Sequence, residues 1–210
     1  MDTKKLGAYL DGLVPERHEE LQTMEAYAAE HGFPIIGPAA GQLCYQLARM
    51  TGAKRIFELG SGYGYSTAWF ARAIQENGGG EVFHVVWDEE LSQKACGHLS
   101  ALGYDELVQY RVGEAVQTLR GTEGPFDLIF NDIEKEDYPD ALPVITEKLR
   151  PGGVLITDNL IWSGRVFDDS NNEESTQAIR EFTRQVTSDP NWIASILPIR
   201  DGVLVAHKQA

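Results

Sequence analysis

Two cysteines in 210 residues, Cys44 and Cys96, are too few for a disulfide framework and lack metal-ligand spacing, so both read as reduced, packed thiols. The five histidines, His18, His31, His84, His98 and His207, are scattered, which removes a histidine-based metal centre from consideration. Basic residues are scarce: 18 Lys and Arg stand against 32 Asp and Glu, a net charge of -14. Sequence-independent binding to nucleic acid draws most of its affinity from phosphate neutralisation, so small-molecule partners are expected instead. Long apolar runs are lacking too. No stretch approaches the roughly 20 residues of a spanning helix, and "MDTKKLGAYLDGL" has no signal-peptide core, so a cytoplasmic chain without membrane attachment is expected.

What is present is enough apolar content, 42%, for one core, and a single domain is expected. Residues 3–31 have a helical pattern with a partial apolar stripe of Leu10, Leu13, Leu21, Met24 and Tyr27, and a second helix is expected over about 39–50. These N-terminal helices, residues 1–52, precede a core over 53–210. Strands are expected near 54–59, 81–87, 107–112, 125–130, 153–157, 191–198 and 202–207, most of them short apolar runs. Helical segments near 65–76, 89–102, 114–120 and 138–149 separate the first five. Strand and helix alternating in this way predict a doubly wound α/β fold with a mostly parallel sheet covered on both faces. A helix over about 176–187 and a C-terminal antiparallel hairpin turning at Arg200, Asp201 and Gly202 complete it. The stretch "DDSNNEES" reads as a mobile surface loop.

Three motifs carry chemistry. "RIFELGSGYGYSTAWFARAI" gives a buried strand, a turn with Gly60, Gly62 and Gly64, and an amphipathic helix, the form of a nucleotide-type cofactor loop. Its Gly-x-Gly-x-Gly spacing departs from the dinucleotide fingerprint, which would need a glycine at Tyr65, and this disfavours a nicotinamide-dependent oxidoreductase. Glu58, just before the turn, suits a cofactor with an ammonium or hydroxyl better than a pyrophosphate. Asp132 in "FNDIEKEDY" and Asp158 with Asn159 in "LITDNLIWSGRV" sit where buried strands should end. Either aspartate alone reads equally as a helix or turn cap. Together they offer hard oxygen ligands for Mg2+, Mn2+ or Ca2+ if the two strands are neighbours. Lys135, three residues after Asp132, is either a solvated charge or, beside such an ion, a general base.

In their order and spacing, "GPAAGQL", "ELGSGYGYST", "GEA" at 113–115, "NDIEKEDY", "DNLIWSGRV" and "DPNWIASILPIRDGVLVAHK" make the chain resemble the cation-dependent, S-adenosylmethionine-dependent O-methyltransferases, a family that includes catechol and caffeoyl-coenzyme A O-methyltransferases. The resemblance spans nearly the whole chain and implies a Rossmann-like class I methyltransferase fold. It also implies that Glu58, Gly60, Ser61 and Ser66, with Gly62 and Gly64 of the same turn, hold the methionine end of the cofactor, and that Glu114 and Ala115 neighbour its adenine. By the same comparison Asp132, Asp158 and Asn159 are the metal ligands and Lys135 the catalytic base. Asp132 also borders the cofactor, Ile36 lines its pocket, and Ser163 falls where some relatives contact substrate. A diphenol-like acceptor and a homodimer are implied as well.

One departure stands out. The family places an acid for the ribose hydroxyls at the end of the second strand, where this chain has Val86; Asp88 is the nearest carboxylate and serves only if the strand end bends back. Ala39 and Glu134 are milder departures. Two alternatives therefore stay open: methylation of a hydroxylated transfer-RNA base, weighed against by the charge of -14, and a degenerate protein that binds without turnover.

Overall fold

The computed structural model describes residues 3–209. Its centre is a seven-stranded sheet of β1 (Arg55–Leu59), β2 (Glu81–Val86), β3 (Val108–Val112), β4 (Phe126–Asn131), β5 (Leu149–Thr157), β6 (Trp192–Leu197) and β7 (Val203–Lys208), in the order β3-β2-β1-β4-β5-β7-β6. The first five strands pair in parallel, and β7 runs antiparallel to both β5 and β6. The expected hairpin is therefore present, with its second arm inserted between β5 and the edge strand β6.

Successive strand residues serve opposite faces, as the pleat requires. Ile56, Leu128 and Ile156 pack beneath α2 (Glu19–His31), α3 (Gly37–Met50), α4 (Tyr65–Glu76) and α5 (Glu89–Ala101), whose buried residues include Met24, Cys44, Trp69 and Leu99. Phe57, Ile129 and Leu155 pack beneath α6 (Ala115–Gly121), α7 (Tyr138–Lys148) and α8 (Glu174–Ser188), which contribute Leu119, Ile145 and Phe182. Because both faces are covered, the central strands are mostly apolar, with Glu58, His84 and Asn131 as buried polar exceptions. Among the described residues no helix is long and apolar enough to cross a membrane.

Four details differ from the sequence-based expectation. The first helical stretch is two helices, α1 (Thr3–Gly12) and α2, because Pro15 cannot continue a helix and biases Val14 away from helical backbone. Strand β5 begins at Leu149, which pairs with Phe126 across an irregular register. Cys44 is buried, but Cys96 is exposed on α5. The polar stretch after Phe167 is on the surface as expected, yet it is tethered: the Arg180 guanidinium donates to the carbonyls of Arg165, Val166, Asp168 and Asn171.

The chain leaves β1 toward β2 and β3, then returns on the other side of β1 to build β4 and β5, so a crevice opens at their carboxyl ends. Two backbone bonds hold these ends in step, Asp132 N to Leu59 O at 2.9 Å and Asp158 N to Asn131 O at 3.2 Å. Gly60 turns the chain away from β1 with φ 85°, and a Cβ there would collide with the Asp132 carbonyl. Gly60→Ala should lower stability by about 2 kcal/mol or more, because neither the left-handed backbone nor the neighbouring main chain can give way. Urea unfolding checks this, and an unchanged midpoint would contradict it.

Candidate active site

The crevice is a cavity of about 480 Å³ whose floor is the glycine turn and whose walls carry Asp132, Lys135, Asp158 and Asn159. An adjoining recess is lined by Ile36, Gly60, Ser61, Gly62 and Ser66. Glu58 lies fully buried behind the turn; Thr67 donates to its Oε2, and its Oε1 has no hydrogen-bond partner among the described residues. Ser61 is tied to β2 in both directions, its N donating to Val85 O and its Oγ accepting from Val85 N, each at 2.9 Å. Gly64 (φ 91°) is the N-cap of α4, pressed against Ala95 and outside the cavity. Ala115 and Gly113 line the far wall.

Two expected cofactor carboxylates have other work. Asp88 Oδ1 caps α5, accepting from Glu90 N at 2.7 Å and Leu91 N at 3.1 Å, and it is not among the cavity-lining residues. The strand end does not bring it back; Val86 and the exposed Trp87 form the wall there. Glu114 caps α6 with both oxygens, each 2.6 Å from a backbone N-H, of Val116 and Gln117.

The acidic cluster does assemble. Strands β4 and β5 are direct neighbours, with Asn131 opposite Thr157, so Asp132 and Asp158 emerge side by side. Lys135 begins a single 3-10 turn (Lys135–Asp137) and reaches back to Asp132 Oδ1 at 2.8 Å and to the Ile133 carbonyl at 3.0 Å. The rings of Tyr138 and Trp162 flank its ammonium, with centroids 5.3 and 5.8 Å away. Tyr138 Oη also donates to the Asp158 carbonyl at 2.9 Å, fixing the end of β5. Sequence reasoning missed Phe33, Trp87, Trp162 and Arg200, all of which line the cavity. Trp162 was visible inside "DNLIWSGRV", but its aim depends on left-handed backbone at Asn159, Trp162 and Ser163 that no local signal announces. Ser163 is exposed outside the cavity, its N donating to Asp201 Oδ1 at 2.5 Å.

A sequence model of the family described as O-methyltransferase matches residues 14–209. The chain belongs to this O-methyltransferase family. The catechol O-methyltransferase of Niastella koreensis is 32% identical over 195 residues, covering 90% of this chain and 87% of its own length. Tricin synthase 2 of Oryza sativa subsp. japonica is 31% identical over 208 residues, covering 92% and 70%. The O-methyltransferase TomG from Streptomyces achromogenes, solved in complex with SAM, superposes with a TM-score of 0.88 at 27% identity over the whole of both chains. An O-methyltransferase from Bacillus cereus, in complex with SAH, gives 0.87 at 27% identity, covering 98% and 97%. The fold is that of the class I methyltransferases.

In this O-methyltransferase Glu58 and Asp158 are held out of water, while the Asp132 side chain is 24% exposed. Burial pushes the Glu58 carboxyl from 4.5 up to about 7, against partial relief from the hydroxyls of Ser66, Thr67 and Ser61. Burial, followed by the charge of Asp132, pushes Asp158 from 3.8 up to about 7. Asp132 is raised too by desolvation, with Lys135 opposing. His84, which shares Thr67 with Glu58, is pushed down to about 3 by burial and stays neutral. A raised carboxyl pKa means that the folded state binds the proton more tightly than the unfolded chain. Its contribution to stability is whole below about pH 4.5 and is lost as pH rises through about 7. Glu58→Gln, which cannot ionise, should therefore gain on the wild type across that window, reaching on the order of 2 to 3 kcal/mol at about pH 8. Urea unfolding of both proteins at about pH 5 and about pH 8 reads the difference. An equal gap at the two pH values would contradict the assignment.

Proposed function

We propose that this chain transfers the methyl group of S-adenosylmethionine to a hydroxyl of a small vicinal diphenol held at Asp132, Asp158 and Asn159 with a divalent cation, Mg2+ or else Mn2+ or Ca2+. The observation that carries this reading is the convergence of two strand-end carboxylates, an amide and a lysine on one cavity whose floor is the glycine turn. The donor set fits a hard cation: two carboxylates and an amide oxygen, with Asp158 Oδ1 buried and unpartnered among the described residues. Those residues include no group of three His, Cys, Asp or Glu arranged to hold a metal, so the amide of Asn159 is an essential part of the set. The cofactor fit rests on Glu58, whose unpartnered Oε1 beside Ser61 and Ser66 suits an ammonium. Similarity to a catechol O-methyltransferase and to a structure solved with SAM supports the same choice.

Bound there, the cation supplies Lewis acidity and orientation, and S-adenosylmethionine supplies an electrophilic methyl group. The chain itself contributes proximity, by placing the cofactor recess and the acidic cluster on either side of Gly60. With both groups bound, Lys135 Nζ would be the group placed to take the acceptor's hydroxyl proton, and S-adenosylmethionine would supply the methyl group to that oxygen. Asp132 and the Ile133 carbonyl aim that amine, and the Tyr138 and Trp162 rings shield it. No covalent enzyme intermediate is required.

Methyl transfer to a vicinal diphenol should require added Mg2+, stop with chelator, and disappear in Asp158→Ala; retained turnover in that variant would sink the metal assignment. Lys135→Ala should lower kcat by about 100-fold or more while changing Mg2+ affinity little, and unchanged kcat would remove Lys135 from the chemistry. Val86 favours a second reading, weak or non-catalytic cofactor binding, since it lines the cavity where a carboxylate would pair with ribose hydroxyls. Val86→Glu should tighten S-adenosylmethionine binding about tenfold or more. The fluorescence of the adjacent Trp87 reports the affinity, and an unchanged dissociation constant would show that the ribose lies elsewhere.

A further inference from the structure

The acidic cluster carries a second cation besides Lys135. Arg200 sits in the turn between β6 and β7, and that turn is fastened over the segment following Asn159. Leu160 N donates to Gly202 O at 2.9 Å, Ile161 N to Asp201 O at 2.7 Å, and Ser163 N to Asp201 Oδ1 at 2.5 Å. Arg200 itself has φ 51°, left-handed backbone that a long side chain rarely adopts. Its stem crosses Gly37 at the start of α3, where a Cβ would lie 3.5 Å from Arg200 Cδ. Its Nη1 ends 3.4 Å from Asp158 Oδ2, on a carboxylate whose side chain is only 3% exposed. Each carboxylate of the cluster thus has its own cation, Lys135 on Asp132 and Arg200 on Asp158. An arriving divalent ion therefore finds a side-chain cation already placed at each carboxylate.

We propose that Arg200 is a built-in counter-cation that competes with the divalent ion for Asp158, so that ion binding releases the guanidinium and the guanidinium holds ion affinity down. This rests on the metal-dependent reading above. By linkage, whatever Arg200 subtracts from ion binding, the ion subtracts from the Arg200–Asp158 pair. A single positive charge a few ångströms from the ion, in a partly dry cavity, is ample for a tenfold effect.

Mn2+ is the probe, titrated into cofactor-free protein and read by electron paramagnetic resonance, which needs no turnover. Arg200→Gly removes the charge and suits the left-handed backbone; Arg200→Gln, a second variant, removes the charge but keeps a long polar side chain. Both should bind Mn2+ about tenfold or more tightly than wild type. Arg184→Ala, which deletes an exposed charge paired with Glu181 on α8, should leave affinity unchanged. Equal tightening in Arg184→Ala would reduce the effect to net charge and overturn the proposal. Unchanged or weaker binding in both Arg200 variants, with saturable Mn2+ binding by wild type, would overturn it while leaving the metal reading intact. No saturable binding by wild type or by either Arg200 variant would overturn both.

Discussion

Strands β1, β4 and β5 end in step because the amides of Asp132 and Asp158 each donate to the neighbouring strand's last carbonyls, and the site is built outward from those two bonds. They put two carboxylates side by side on adjacent strands and leave room above β1 for only one kind of turn. Gly60 fills that room because any Cβ would strike the Asp132 carbonyl. The close approach that forces a glycine is thus the same approach that brings the glycine turn against the acidic cluster. The main cavity and its adjoining recess share Gly60, Gly62 and Asp132, so the two meet at the glycine turn.

The arrangement is electrostatically costly. Glu58 and Asp158 are both lifted to about 7 by burial, and each keeps one oxygen without a hydrogen-bond partner among the described residues. Groups so placed destabilise a fold in their charged form unless a ligand compensates them. Two such carboxylates meeting at one crevice mark it as a candidate functional site. Elsewhere the carboxylates are satisfied locally: Asp127 accepts from Arg150 and from two backbone amides, while Asp88 and Glu114 cap helices.

Much of this was legible in the sequence for identifiable reasons. Strands covered on both faces are mostly apolar, so most of the seven appear as short apolar runs, and helix α4 is recovered at its observed limits. Asp132 and Asp158 were legible because polar residues directly after such runs mark strand ends, and Lys135 because three residues on is one turn away. What escaped depends on distant chain. Arg200 reads as an ordinary turn residue until the hairpin docks on residues 160–163, and the aim of Trp162 is set by left-handed backbone at Asn159, Trp162 and Ser163. The capping roles of Asp88 and Glu114 had a local signal, an acidic residue just before a helical run. The two helices at the N-terminus had one in Pro15.

The central claim, that the crevice above β1 and β4 is a working S-adenosylmethionine site despite Val86, is tested most directly by calorimetric titration of cofactor-stripped protein with S-adenosylmethionine in the presence of Mg2+. One-to-one binding in the micromolar range, lost in Glu58→Gln, is the expected result. No heat of binding with wild type, or undiminished binding by Glu58→Gln, would contradict it.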